Sequence, residues 1–262
     1  MVQYDRRGYA PQAAPARGVA FFAGVLFVLS TLAHRFGAIG TPEFLWVLAI
    51  TAALAILSLL LAGLALRRVW IEDDAGAGVA FAGVLLALLV LAPFGVGLYG
   101  AATNPHLSDV ATDPLDPPLL TEAAARREGA MNRVTPITAD QAASIRTAYP
   151  DLVSRIYDLS LADTIQAVLR VAAERGFEPV AREDAGATGT TLEFTGYSLV
   201  VGFASDIAIR LRPDGMRTRV DMRSASRYGS HDQGENARRI GNFLDALDYD
   251  VGVMQGVIVE EE

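Results

Sequence analysis

The chain has 262 residues, 52% of them hydrophobic, and its formal net charge is -8. An acidic chain is a poor match for nucleic acid, whose partners are usually basic, so no nucleic-acid partner is predicted. The sequence lacks cysteine, which excludes disulfides, thiolate nucleophiles and metal sites with cysteine ligands. All 22 basic residues are arginine, so arginine is weaker evidence for anion recognition here than in a chain that also contains lysine.

The hydrophobic residues are concentrated before residue 101. Residues 1–17 are polar and are predicted to form a short disordered tail. Residues 18–100 contain three apolar runs, which cover residues 18–39, 44–66 and 78–100. Since a transmembrane helix needs about 20 apolar residues, the sequence predicts a transmembrane anchor of three helices. For the first run, a cleaved signal peptide is the alternative. No acidic residue or arginine lies in the middle of a run, which favours an anchor over a transporter.

Arginine placement predicts how the anchor is oriented. Arg6, Arg7 and Arg17 precede the first run, and Arg67 and Arg68 lie between the second run and the third. Because basic residues that flank transmembrane helices stay in the cytoplasm, the tail and this second connection are predicted to be cytoplasmic. Three crossings then place everything after the third run outside the cytoplasm. We therefore expect a bacterial cell-envelope protein of the inner membrane, with a periplasmic C-terminal domain and with membrane lipids as partners.

Residues 101–150 differ in character and are predicted to form a proline-rich tether. The run Asp113-Pro114-Leu115-Asp116-Pro117-Pro118 cannot be helix or central strand, since proline removes a backbone donor and fixes φ. Residues 121–128 and 139–148 are each long enough for a short helix. The segment either spaces the following domain from the membrane or wraps around that domain.

Residues 151–262 have the pattern of an α+β domain. Residues 160–163 match a helix capping box and Gly176 matches a helix end, so a helix is predicted between them. A second helix is predicted to begin near Asp232. Strands are predicted at residues 154–159, 177–182, 190–195, 206–212 and 217–223. Consecutive strands with short connections indicate an antiparallel sheet with both helices packed on one face.

The fourth and fifth strands are predicted to form a hairpin, because apolar residues alternate with arginines along both. Pairing Ile209 with Val220 and Arg212 with Arg217 puts the apolar side chains on one face, and it requires a four-residue turn at 213–216. A slip by one residue would bury arginines, so the register is expected to be firmly set.

This pairing crowds guanidinium groups on the opposite face of the sheet, where like charges are unfavourable. In one explanation Glu193, Asp206 and Asp221 interleave with the arginines as solvated ion pairs, each contributing about 0–1 kcal/mol. In the other, an anionic ligand lies on this face, such as a lipid headgroup or an envelope glycan phosphate.

A polar motif extends from the last strand through a loop into the last helix. It reads Val-Asp-Met-Arg-Ser-Ala-Ser-Arg over residues 220–227, followed by Gly229, Asp232, Gly234, Asn236, Arg239 and Ile240. Together with residues 113–118 and 148–152, this motif resembles domain-of-unknown-function family 1499, and the resemblance covers about residues 103–248. It implies no activity, because the family is named for lacking one. Family members with hydrophobic spans ahead of the domain are similar to this chain.

The sheet face and the motif together give a candidate ligand-binding site. Its members are Arg210, Arg219, Asp221, Arg223, Ser224, Ser226, Arg227, Asp232, Asn236 and Arg239. Arg223, Arg227 and the two helix residues are expected to converge near the N-terminus of the last helix, which attracts anions. The alternative is that Asp221 and Asp232 pair with these arginines and lock the loop.

Serine, histidine and aspartate in the 224–232 loop suggest a hydrolase as a further alternative. These residues are adjacent in one loop, whereas a catalytic triad is defined by spatial geometry, and the sequence has no Gly-x-Ser-x-Gly elbow. No catalytic residue is assigned on this basis. His34, His106 and His231 lack the spacing of metal ligands, so no metal site and no cofactor are predicted.

The sequence thus favours a membrane-anchored envelope protein whose extracytoplasmic domain binds an anionic small molecule, lipid or glycan, or a membrane-protein partner. Two alternatives stay open. One is an envelope hydrolase that uses the 224–232 loop. The other is a structural subunit of a membrane complex, which would expose an apolar patch.

Overall fold

The structure, a computed structural model, describes residues 8–257. The chain divides into two compact units. Among the described residues, one unit comprises residues up to Tyr99 together with residues 200–202, and the other comprises residues 100–199 and 203–257. Each unit has hydrophobic clusters of its own.

The N-terminal unit is built on three long helices: α1 spans Ala13–Arg35, α2 spans Thr41–Glu72 and α3 spans Ala77–Thr103, with the last four residues of α3 in the second unit. Each helix is long and apolar enough to cross a membrane. The three predicted apolar runs are therefore confirmed as helices, and they suggest a multi-pass membrane protein.

Helix α1 begins at Ala13, inside the segment predicted to be a disordered tail. Pro15 falls in the first turn, where backbone N–H groups have no helical partner, so proline is tolerated there. Before the helix, Tyr9 forms a parallel bridge with Ala75. The tail prediction is wrong for residues 8–17, and its remaining residues lie outside the described part of the chain.

Small residues line the buried faces of these helices. Ala16, Ala55 and Ala87 are fully buried, and a Cβ atom at Gly83 would lie 3.1 Å from the backbone nitrogen of Arg17. The large apolar side chains left exposed include Phe22, Leu29, Leu60 and Leu89. Small residues between helices and large apolar residues on the outside are typical of helices surrounded by lipid.

The second unit is an α+β domain, as predicted. Among the described residues its antiparallel sheet has six strands: β1 Asp109–Ala111, β2 Arg155–Tyr157, β3 Glu178–Asp184, β4 Thr190–Tyr197, β5 Ala204–Asp214 and β6 Arg217–Ser226. Their order is β1-β6-β5-β4-β3, and β2 also pairs with β6. Since β5 occupies one edge of β6, β1 and β2 share the other edge, where they pair with residues 223–225 and 218–220 respectively.

The helices of this unit, within the described residues, are α4 Glu122–Ala125, α5 Ala139–Ala148, α6 Leu161–Glu174 and α7 Glu235–Met254. The two predicted helices, α6 and α7, pack on one face of the sheet, where Ile165 and Phe243 share a core cluster with Met222. Ser160 caps α6 as predicted, since its Oγ accepts a hydrogen bond from the backbone N–H of Asp163 at 3.2 Å. We call this the inner face of the sheet.

Strands β5 and β6 form the predicted hairpin, but in a different register. Arg212 lies opposite Arg219 rather than Arg217, so the predicted pairing and its four-residue turn are wrong. The turn consists of Gly215 and Met216, and Gly215 has a φ of +66°, as a type II′ turn requires of its first residue. A slip of two residues leaves every side chain on the same face, so alternation alone did not distinguish the two registers.

Strand β3 lies at one end of the sheet. Its pairing with β4 is irregular between Pro179 and Ala181, and the exposed residues Arg182 and Asp184 form an ion pair at 2.9 Å. Proline, an irregular ladder and charged side chains are features that hinder the pairing of an edge strand with another chain.

Residues 109–135, which we call the wrapping segment, begin with β1 at the border of the sheet and then cover its outer face, opposite the two long helices. Within it, Leu120 and Ala123 pack against Ala208 and Ala225 of the sheet. Of the two roles considered for the proline-rich region, these contacts show the one in which it wraps around the domain.

Glu193 fastens the wrapping segment to the sheet. It is 4% exposed, and its carboxylate accepts hydrogen bonds from three consecutive backbone N–H groups, at residues 121–123, over distances of 2.7 to 3.1 Å. A carboxylate that accepts several hydrogen bonds is stabilised without a cationic partner.

We expect Glu193→Gln to loosen the wrapping segment. The amide replaces one acceptor oxygen by a donor and leaves a buried N–H group unsatisfied, which costs about 1–3 kcal/mol. Hydrogen exchange of the amides at 121–123 in the full-length protein should therefore become about tenfold faster or more. Glu183→Gln, an exposed position on β3, is the control and should leave these rates unchanged. Equal rates in both variants would contradict the role assigned to Glu193.

Candidate functional site

Asp221 is the centre of the charged outer face. It is fully buried, and its carboxylate pairs with Arg212 at 2.8 Å, Arg210 at 3.0 Å and Arg219 at 3.3 Å. Ser154 donates a further hydrogen bond to it at 2.5 Å. The strand alternation that sends the apolar residues inward sends these four charged side chains to the same outer face.

The wrapping segment adds two carboxylates to this cluster. Asp116 pairs with Arg212 at 2.9 Å and with Arg210 at 3.1 Å, and its backbone carbonyl accepts a hydrogen bond from Arg210 at 2.6 Å. Asp113 lies 3.7 Å from Arg219. Three arginines of the sheet therefore meet three carboxylates, two of which come from the wrapping segment.

The charges of this cluster shift the acidity of its carboxylates. Burial raises the pKa of Asp221, but the hydrogen bond from Ser154 and the pairing with Arg210 and Arg212 outweigh burial, so its pKa lies below the ordinary value. The hydrogen bond from Arg210 lowers the pKa of Asp116 in the same way. Both carboxylates are therefore ionised in the folded protein at neutral pH.

A second buried carboxylate lies farther along the same face. Asp206 is fully buried and pairs with Arg127 of the wrapping segment and with Arg227, each at 2.7 Å. Arg127 also donates to the backbone carbonyl of Ala225 at 2.8 Å. One carboxylate thus joins a loop arginine to an arginine of the wrapping segment.

Arg223 connects both ends of the wrapping segment. Its side chain is 3% exposed and pairs with Asp109 at 2.6 Å. It also donates to the carbonyl of Pro118 at 3.3 Å and to the carbonyl of Thr135 at 3.0 Å. Since its donors already have protein acceptors, Arg223 has little capacity to bind an external anion.

The protein itself therefore neutralises the crowded guanidinium groups. Of the three acids considered in the sequence, Asp206 and Asp221 pair with arginines, whereas Glu193 binds backbone N–H groups. All three are at most 4% exposed, so the expectation of solvated pairs is wrong. The reason is the wrapping segment, which packs over these carboxylates and limits their contact with water, while Arg212 and Arg219 stay partly exposed.

The serines and helix residues of the predicted site lie on the inner face. Ser224 is fully buried and donates to Oδ1 of Asn236 at 2.7 Å, and Arg239 donates to the same oxygen at 2.9 Å. The amide nitrogen of Asn236 donates to Ser226 at 2.9 Å. Glu235 pairs with Arg239 at 2.8 Å, and burial raises the pKa of Glu235 and lowers that of Arg239.

Asp232 acts at the start of α7, as predicted. Its carboxylate accepts hydrogen bonds from the backbone N–H groups of Gly234 and Asn236, both at 2.9 Å. Among the described residues Asp232 forms no salt bridge, and Asp221 pairs with strand arginines. The alternative in which these two aspartates pair with Arg223, Arg227 and Arg239 is therefore wrong. Those arginines pair instead with Asp109, Asp206 and Glu235, in that order.

The predicted site divides between two faces of the sheet. Its members on the outer face are Arg210, Arg219, Asp221, Arg223 and Arg227, and those on the inner face are Ser224, Ser226, Asn236 and Arg239. Arg223 and Arg227 do not converge with the two helix residues, because neighbouring residues of a strand point to opposite faces.

The motif serines on the inner face are not hydrogen-bonded to His231. Nδ1 of His231 accepts the backbone N–H of Gln233 at 2.9 Å, and its Nε2 lies 3.1 Å from the carbonyl oxygen of Ala101. Ser230 lies 3.3 Å from Nε2 of His106, but no carboxylate orients His106 within the described residues, as a triad requires. Nor, across that part of the chain, do three or more histidine, aspartate or glutamate side chains gather to hold a metal ion.

A cleft of about 440 Å³ opens beside the Asp221 cluster. Its lining comprises Thr112, Asp113, Pro114, Ile145, Arg146, Tyr149, Pro150, Leu152, Val153, Ser154, Ile156 and Arg219. The Arg219 side chain is 39% exposed, and among the described residues its Nη1 has no hydrogen-bond partner. Arg146 is exposed near the end of α5 and forms no ion pair with any described residue. The cleft therefore presents two arginines with unused donors.

Comparison with known families decides how the domain is classified. The family model described as a protein of unknown function, DUF1499, matches residues 109–247, more than half of the chain. The chain belongs to the DUF1499 family. The resemblance carried by the motif is thereby confirmed, and a comparison with curated proteins finds no match. The matched range begins at Asp109, the partner of Arg223, so the DUF1499 domain includes the wrapping segment.

Sequence reasoning missed the partners that distant parts of the DUF1499 domain supply. These are Asp109, Asp116, Arg127 and Ser154 in the outer network and Arg146 in the cleft. Arg127 and Asp206, for example, are 79 residues apart in the chain. A signal existed for Asp116, which stands among prolines in a run that neither helix nor strand can use, but its partners could not be assigned without the register of the hairpin.

We expect Asp221→Asn to destabilise the DUF1499 domain by about 1–3 kcal/mol, because the amide replaces a buried acceptor oxygen by a donor and removes the charge shared by three partly buried arginines. The loss is measured from hydrogen exchange of the β5 and β6 amides in the full-length protein. Asp214→Asn is the matched control, since Asp214 forms an exposed pair with Arg217 at 3.5 Å and should contribute no more than about 1 kcal/mol. Similar losses in the two variants would argue against a central role for Asp221.

The pH dependence of stability should follow from the same carboxylates. Asp221 and Asp116 have folded pKa values below their unfolded values. They therefore contribute full stability above about pH 4–5, and this contribution is lost as pH falls through the folded pKa values. Over that acid range Asp221→Asn should lose less stability than the wild-type protein in the same exchange measurement. A variant that loses as much as the wild type would show that other groups control acid unfolding.

Proposed function

We propose that this DUF1499 protein is a multi-pass inner-membrane protein of the bacterial cell envelope whose extracytoplasmic domain binds an anionic ligand. In a Gram-negative cell the domain would lie in the periplasm. The proposal assigns binding rather than catalysis, because the serine and histidine residues of the motif are engaged in separate contacts.

The arginines that flank the helices support this orientation. Arg17 lies near the start of α1, and Arg67 and Arg68 lie near the end of α2. If α1 and α2 each cross the membrane once, these two positions fall on the same side, and basic flanking residues favour the cytoplasmic side. A third crossing by α3 then carries the DUF1499 domain to the opposite side.

One observation carries the ligand-binding part of the proposal. In the cleft, Arg219 and Arg146 keep guanidinium donors that no described residue uses. The guanidinium donors of Arg223, by contrast, already have acceptors within the protein. Guanidinium groups bind phosphate and carboxylate through charge-assisted hydrogen bonds, so unused donors in a cleft favour an anionic ligand. The proposed site thus keeps Arg219 from the predicted set and adds Arg146.

Reporter fusions test the orientation. A fluorescent protein that matures only in the cytoplasm should fluoresce when fused after Trp70 and stay dark when fused after Glu262, because positively charged flanks hold the α2–α3 connection inside. Alkaline phosphatase, which is active only outside the cytoplasm, should give the opposite pattern at the same two positions. A fluorescent fusion after Glu262 would overturn the proposed orientation.

Anion binding is tested with inorganic phosphate and acetate on the full-length protein in a nonionic detergent at low salt, by isothermal titration calorimetry. Arg219→Gln and Arg146→Gln should each weaken binding by about tenfold or more, because each removes a charge-assisted hydrogen bond. Arg219 also contacts the Asp221 cluster, whereas Arg146 does not, so a loss in both variants points to the cleft.

The control for these variants is Arg175→Gln. Arg175 is an exposed arginine that lines a separate cleft beside α6 and α7, and its replacement should leave affinity unchanged. An equal decrease in all three variants would indicate non-specific attraction to positive charge. Absence of binding of both anions by the wild-type protein would contradict the proposed function.

A further inference from the structure

The cleft that holds the two arginines also has an apolar wall. Val153 and Ile156, residues that are 50% and 46% exposed, line it. Beside them lie Leu152, partly buried, and Ile145, which belongs to the core of the domain. In a water-exposed domain, apolar surface concentrated in a concave site is typical of ligand pockets.

The polar and apolar parts of the lining come from different elements. Arg219 belongs to β6 and donates hydrogen bonds to Asp221 and Ser154. Val153 lies just before β2, and Ile156 lies within it. Because β2 pairs with β6, with Ile156 opposite Arg219, the sheet register fixes the arginine and the apolar wall side by side. A ligand in this cleft meets a cationic group and a hydrocarbon surface at the same time.

The charge of the lining favours a small negative group. Arg219 and Arg146 carry two positive charges, and Asp113 carries one negative charge 3.7 Å from Arg219. One positive charge therefore remains uncompensated within the lining. The volume of about 440 Å³ lies in the range of pockets that hold small molecules, about 300–1,000 Å³.

We infer that the ligand of this cleft is an anionic amphiphile, with a phosphate or carboxylate head at Arg219 and Arg146 and a hydrocarbon chain on Val153 and Ile156. The inference rests on the proposed function and adds the apolar half of the ligand to it. The same chemistry occurs in soluble amphiphiles and in phospholipids, and the experiment separates these two sources.

The test compares three probes on the full-length protein in a nonionic detergent, by isothermal titration calorimetry with protein-free micelles as the blank. Hexyl phosphate should bind about tenfold more tightly than inorganic phosphate or better, because each buried methylene adds to affinity. Hexanol, which has the chain without the charge, should bind more weakly than hexyl phosphate. Equal affinity for phosphate and hexyl phosphate would overturn the inference and leave the proposed function intact.

Variants of the apolar wall test where the hydrocarbon chain of the ligand lies. Val153→Ser and Ile156→Ser should each reduce the affinity for hexyl phosphate several-fold, since they remove apolar contact area, and leave the affinity for inorganic phosphate unchanged. Met216→Ser is the matched control, because Met216 is 95% exposed in the β5–β6 turn outside the cleft, and it should change neither affinity. Loss of hexyl phosphate affinity in the control alone, or in no variant, would overturn the placement of the hydrocarbon chain on Val153 and Ile156.

Asp113→Asn should raise the affinity for hexyl phosphate, whereas the variants of the apolar wall lower it. Asparagine keeps the oxygen that accepts the backbone N–H groups of Leu115 and Asp116 but removes the negative charge from the lining. Hexyl phosphate should therefore bind several-fold more tightly to this variant. A weaker complex would place the phosphate away from Arg219 and overturn the inference.

Reconstitution identifies the source of the ligand. In bilayers that contain phosphatidic acid, a phospholipid ligand would occupy the cleft and reduce the affinity for added hexyl phosphate relative to bilayers of phosphatidylcholine alone. Unchanged affinity would instead assign the cleft to a soluble amphiphile.

Discussion

The buried carboxylate of Asp221 determines how the outer face of the DUF1499 domain is built. A charge removed from water must be neutralised and hydrogen-bonded by groups close to it, and Asp221 meets this requirement with three arginines and Ser154. Those arginines carry more donors than one carboxylate can accept. The remaining acceptors come from Asp113, Asp116 and the backbone of the wrapping segment. The sheet face and the wrapping segment therefore depend on each other, because neither satisfies its polar groups alone.

The two faces of the sheet are stabilised by different interactions. The inner face packs aliphatic and aromatic side chains against α6 and α7, and such cores tolerate substitutions that preserve volume. The outer face depends on hydrogen bonds with defined directions, so a change to one member leaves its neighbours unsatisfied. Arg219 stands at the margin of this outer network. One side of its guanidinium group is held by Asp221 and Ser154, while the other faces the cleft, so the network that stabilises the fold also positions the proposed binding group.

Alternation in the sequence was enough to predict which residues of β5 and β6 point inward, because a strand has a period of two. The register was not predictable from alternation, since a shift of two residues preserves both faces, and the choice depended on Gly215 in the turn. The burial of Asp206 and Asp221 was missed for a different reason. It results from a segment about 80–110 residues earlier in the chain, and single-sequence patterns carry little information on contacts at that separation. The cleft was not predicted for the same reason, because its lining combines residues of α5, β2 and β6, which are far apart in the sequence.

The exposed end of the sheet has a consequence if the three candidate spans hold the protein in a membrane. Copies that diffuse in a plane meet far more often than molecules free in solution, and an unprotected strand would then act as a template for stacking neighbouring domains. On β3, the irregular ladder at Pro179 and the Arg182–Asp184 ion pair interrupt that template, while β1 and β2 occupy the opposite border of the sheet. High surface density should therefore be tolerated without fibre-like assembly.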